Sequence, residues 1–122
     1  MTGKRMLVHR SLLPKFLFLL ALLLTTGRAM AQEMYAVFTN DGTLTFYYDN
    51  LRSTRTGDTY GMNSGYSTPG WINDHASEIT KAVFDASFAD ARPTDTAWWF
   101  SNSCLKEIVG IEYLNTANVT DM

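Results

Sequence analysis

The end of the chain limits the fold most. From Trp98 to Met122 its apolar residues are set mostly three apart, at Leu105, Ile108, Ile111 and Leu114. Val119 follows an Asn-rich segment, Asn115 to Asn118. That spacing reads as a short strand, a turn and a return path, which is one coil of a stacked solenoid. One coil cannot bury its own apolar face and needs neighbours. Leu105, Ile108, Ile111, Leu114 and Val119 are therefore expected inside, as the repeat core. The chain reads as the opening of a longer repeat protein, or as a fragment of one.

The string Asn115-Thr116-Ala117-Asn118-Val119-Thr120-Asp121-Met122 resembles the repeat signature of the BspA-like leucine-rich repeat surface proteins of bacteria. Phe100, Cys104, Leu105, Ile108, Ile111 and Leu114 can be placed on the rest of that pattern. Gly110 to Asn115 resembles the first coil of such arrays, and Asp41 to Tyr48 resembles the segment that precedes them. The resemblance covers most of the chain after about residue 34. It departs from the family in having one clear coil where several are usual. It implies a surface-displayed, non-enzymatic scaffold that adheres to host or bacterial surface proteins.

A shift of 26 residues lays Ile79 on Leu105, Ala82 on Ile108, Val83 on Val109, Thr94 on Thr120 and Asp95 on Asp121. The shift falls within the leucine-rich period of about 20–29 residues. Ile79 to Phe100 is thus expected as a degenerate first coil, its strand parallel to the one near Ile108 to Tyr113. The pairs Thr94-Asp95 and Thr120-Asp121 are expected to fix turns through backbone hydrogen bonds.

Ahead of the coils, Glu33 to Asp49 reads as a β-hairpin. Tyr35 to Phe38 is β-prone, Asn40-Asp41-Gly42 is a turn, and Leu44 and Phe46 share one face. Asn50 to Asn73 is rich in Gly, Ser and Thr and reads as loop. Its Tyr60, Tyr66 and Trp71 are expected to fold back as a lid, with a binding loop as the alternative. The fold class is mainly β with irregular loops, an N-terminal β-hairpin cap followed by the start of a leucine-rich repeat solenoid. Residues 32–78 form the cap with its aromatic loop, and 79–122 the degenerate and the clear coil.

Residues 1–31 read as a secretory signal peptide. Lys4, Arg5, His9, Arg10 and Lys15 make a basic start, Phe16 to Leu24 is apolar, and Ala29-Met30-Ala31 is a small-x-small site cut between Ala31 and Gln32. A transmembrane anchor is the alternative, but spanning takes about 20 apolar residues. Cleavage removes five of ten basic residues and none of the twelve acidic ones, leaving a formal charge of −7. That charge repels a phosphate backbone and an anionic membrane surface, so neither nucleic acid nor membrane insertion is expected. The product is expected outside the cell or on its surface.

Little in the sequence suggests catalysis. Cys104 is the one cysteine; it is expected to pack inside as a small apolar group, with an intermolecular bridge as the alternative. His75 lies between polar residues and reads as a solvated turn residue. The aspartates lack calcium-loop spacing and no phosphate loop is present. No catalytic residue, metal site or cofactor is expected. The leading function is protein binding or adhesion, with an extracellular or cell-surface protein such as a host matrix protein as partner. A carbohydrate-binding module is the alternative, with Tyr66, Trp71, Trp98 and Trp99 as candidate binding aromatics. A truncated, non-functional fragment is a third reading.

Overall fold

The computed structural model describes residues 31–122. The signal-peptide reading lies outside the described residues except at Ala31 and Gln32, which are exposed and without regular structure. From Gln32 onward the chain forms one compact unit.

Five strands make one open sheet: β1 Glu33–Thr39, β2 Thr43–Asp49, β3 Asp58–Gly61, β4 Lys81–Phe84 and β5 Glu107–Val109. Their order is β3-β1-β2-β4-β5. The β1–β2 and β1–β3 pairs are antiparallel, whereas β2–β4 and β4–β5 are parallel. Among the described residues a single α-helix, α1 Gly70–His75, packs on one face, and short 3-10 turns fill the connections. This corrects the leucine-rich solenoid and with it the BspA-like resemblance. Two antiparallel strands continue the sheet beyond β2, and the sheet is not a curved stack of coils.

The β1–β2 hairpin forms as its sequence suggests. Gly42 takes φ 88° and donates to the Thr39 carbonyl. Asp41 accepts from the Thr39 hydroxyl and the Thr43 amide, closing the turn. Leu44 and Phe46 are fully buried, while Thr43, Thr45 and Tyr47 face the other way. Phe46 lies on the central strand and organises the core. Its ring stacks on Phe84 (4.6 Å) and Trp99 (4.9 Å) and meets Trp71 edge-on at 5.5 Å. Trp71 donates its indole N–H to the Trp99 carbonyl at 2.8 Å, so this buried polar atom is satisfied.

The 26-residue shift reappears as strand register. Lys81 faces Glu107, Ala82 faces Ile108 and Val83 faces Val109, and an isolated parallel bridge joins Asp95 to Asp121. Thr120 N donates to the Thr94 carbonyl and Thr96 N to that of Asp121. The two segments run side by side, but they do not build a closed interior. Ile108 and Ile111 are 43% and 52% exposed, and Leu105, Leu114 and Val119 are half-buried. The buried cluster takes residues from β1, β2 and β4 and none from β5. The reason is local. β5 is three residues long, and Gly110 at φ 79° ends it before the Ile111–Tyr113 turn. A Cβ at Gly110 would overlap the Phe84 carbonyl, so the strand cannot extend past this point as an ordinary residue would allow. Cys104, expected inside, is exposed.

The segment read as one long loop holds both β3 and the start of α1. Of its aromatics, Trp71 is fully buried, Tyr60 packs half-buried against the core, and Tyr66 is exposed. Trp71 therefore folds back onto the core from the helix, whereas Tyr60 lies within the sheet on β3 beside Ala36 and Tyr66 stays at the surface.

Candidate functional site

Two surfaces stand out. The first is the free edge at β5. Register places Ile108 in one row with Leu44 and Ala82, on the core-facing side of the sheet, and Val109 in a row with Thr45 and Val83 on the other. Ile108, Val109 (42% exposed) and Ile111 thus offer apolar surface around a strand that, among the described residues, is paired on one side only. Such an edge is a template for another strand. Lys106, Glu107 and Glu112 place charge beside it, which limits unspecific pairing.

The second is a corner made by Tyr66 and Trp98. The rings meet at 63° with centroids 5.5 Å apart and remain about half exposed. Both residues have left-handed backbones, φ 63° and 64°. For bulky side chains this conformation costs on the order of 1–3 kcal/mol each and persists only where the surroundings impose it. Here they do. Asp95, 3% exposed, accepts from the Tyr66 amide at 2.7 Å and from the Ala97 amide at 2.8 Å. Asn63 donates to the carbonyls of Ser67 and Ala97 and accepts from the Trp99 indole at 2.8 Å. Two loops distant in sequence are stitched together beneath the aromatic pair. Beside it runs a groove of about 520 Å³, mainly apolar, lined by Trp98, Trp99, Phe100, Leu114 and Met122 and by the hydroxyl-bearing residues Thr96, Ser101 and Thr116.

The four candidate binding aromatics therefore divide. Trp71 and Trp99 are core residues in edge contact at 6.0 Å, whereas Tyr66 and Trp98 are brought together at the surface. A buried ring offers no face to a ligand, so Trp71 leaves the candidate set. Trp99 contributes only the floor of the groove.

No protein-family model, curated protein or solved structure matches this chain.

Two polar clusters were not legible beforehand. His75, read as a solvated turn residue, stacks on Phe38 with centroids 3.9 Å apart. Its ring nitrogens lie 2.7 Å from Glu78 and 2.8 Å from Asp58. Burial pulls its pKa down, but the hydrogen bonds to Glu78 and Asp58 outweigh this and hold it above the usual histidine value. Glu78, three residues on, was visible in the sequence; Asp58 comes from β3 and was not. On the opposite face of the sheet, Tyr35 donates to Asp49 at 2.6 Å, and Arg55 bonds both Tyr35 and Asp49 while lying 3.7 Å over the Tyr47 ring. Neither cluster contains a nucleophile beside a base. Among the described residues, no three His, Cys, Asp or Glu side chains are grouped to hold a metal ion, and no helix is long and apolar enough to cross a membrane.

Proposed function

We propose that this chain is a non-enzymatic protein-binding domain of an exported or surface-displayed protein, and that its partner adds an extended segment to the free edge of β5. The observation that carries this reading is the exposure of Ile108, Val109 and Ile111 around an unpaired strand edge. Strand addition supplies main-chain hydrogen bonds, and the flanking apolar side chains supply specificity. Seven more acidic than basic residues after Ala31, with Glu107 and Glu112 beside the edge, favour a partner segment carrying Lys or Arg.

Solid-phase binding of the protein to a panel of extracellular-matrix proteins tests this. Saturable binding that weakens with salt is expected, and Ile108→Lys should abolish it with the thermal melt unchanged. Absence of saturation with every panel protein would count against the reading. N-terminal sequencing of protein recovered from the culture medium checks export; the first residue should be Gln32.

A further inference from the structure

We propose that the Tyr66–Trp98 corner and the groove beside it form a second binding site, for a neutral oligosaccharide. It is separate from the β5 edge, since it uses neither Ile108 nor Val109.

The first ground is the backbone. Two large aromatic side chains lie about half exposed on left-handed backbones, although either could relax if the loops were free. Asp95 and Asn63 prevent this by binding the Tyr66 amide, the Ala97 amide and carbonyl, and the Trp99 indole. Strain that the surroundings hold in place, at exposed aromatics, is what a pre-organised site requires.

The second ground is the chemistry of the groove. None of its lining side chains is charged. It combines aromatic and aliphatic walls, at Trp98, Phe100 and Leu114, with three hydroxyl-bearing residues, Thr96, Ser101 and Thr116, in its lining. A sugar ring has the complementary pair of properties. Its C–H face stacks on an aromatic ring, and its equatorial hydroxyls seek hydrogen-bond partners at the rim. The 63° angle between the rings lets one take the sugar face while the other bounds its edge. The volume, about 520 Å³, lies in the ordinary range of small-molecule sites, roughly 300–1,000 Å³. The lack of a cationic side chain in the lining and the excess of carboxylates elsewhere select against uronic acid or sulfated chains.

Tryptophan emission gives a direct readout, because Trp98 is 44% exposed while Trp71 and Trp99 are buried. The protein would be titrated with neutral hexasaccharides of glucose, N-acetylglucosamine, mannose and xylose, with a uronic acid oligomer as control. A saturable emission change with at least one neutral chain, and none with the uronic acid oligomer, is expected. By calorimetry, Trp98→Ala and Tyr66→Ala should each weaken binding about tenfold or more, and Trp98→Phe should retain most of it. Circular dichroism checks that each variant is folded, and Trp98→Phe keeps the test decisive should the alanine variants unfold. The proposal is overturned if no neutral chain saturates at millimolar concentration, if Trp98→Ala binds as the parent does, or if only an apolar hexapeptide of Leu and Phe saturates the groove. Ile108→Lys leaves sugar binding unchanged, which separates this site from the β5 edge.

Discussion

Asp95 and Asp121 pair in a parallel bridge, yet only Asp95 is buried. Its carboxylate accepts from two backbone amides, those of Tyr66 and Ala97. Asp95→Ala should therefore destabilise the fold by roughly 2–4 kcal/mol, since the buried Ala97 amide and the part-buried Tyr66 amide lose their acceptor. Asp95→Asn keeps one acceptor oxygen and should cost less. Urea denaturation of the two variants and the parent measures the difference; equal stability of all three would contradict the bonding described.

His75 should make stability depend on pH. Its folded-state pKa is raised, so the protonated ring is favoured in the folded state. That stabilisation is fully present below the unfolded value near 6.5 and is lost as pH rises through the higher folded value. A charged imidazolium donates to both Glu78 and Asp58, whereas the neutral ring donates to only one. Melting temperatures measured from about pH 6 to pH 9 should fall across this window. In His75→Asn this fall should be smaller. A flat profile in the parent would refute the clamp.

Tyr35 should titrate late. Burial and the bond to Asp49 push its pKa up to about 12, against the opposing pull of Arg55. Burial raises the Asp49 pKa, but bonds from Tyr35, the Leu51 amide and Arg55 more than offset this, so it lies below the usual aspartate value. Ultraviolet titration should show this tyrosine ionising well after an exposed one. Tyr35→Phe removes a donor from Asp49 and should cost about 1–2 kcal/mol. It should also make the loss of stability on acidification smaller than in the parent, because the Tyr35 bond helps to lower the Asp49 pKa and only stability tied to that lowering is lost as pH falls through it.

Trp98 offers a test of stored strain. Trp98→Gly abolishes the penalty of the left-handed backbone, while Trp98→Ala keeps it. The glycine variant should be the more stable of the two by about 1 kcal/mol. That order reverses the usual preference for alanine over glycine. An alanine variant that melts higher would show that the backbone at residue 98 relaxes when the indole is removed.

The hairpin was legible in advance because its signals are local: Asn40-Asp41-Gly42 supplies a turn, and Leu44 and Phe46 alternate with threonines. The 26-residue match between the two C-terminal segments was legible too, and it survives as the β4–β5 register and the Asp95–Asp121 bridge. Its reading as coils of a solenoid failed. Apolar residues three apart describe a chain that turns repeatedly, and they do not say whether each turn faces a neighbour or an open edge. β3 was missed because four residues between Gly57 and Met62 carry little strand signal of their own; pairing with β1 makes them a strand. Tyr66 and Trp98 could be named as aromatics, but their company could not be foreseen, because it depends on Asp95 and Asn63 from different loops.

The sequence by itself determined the hairpin, the one-sided burial of β2, the acidic balance and the period of the last two segments, all consequences of neighbours along the chain. Tertiary structure alone decided which tryptophans are core and which are surface, that His75 is held between two carboxylates, and that β5 ends the sheet. Those outcomes rest on contacts between residues far apart in sequence, and a side chain's burial is set by what packs across from it.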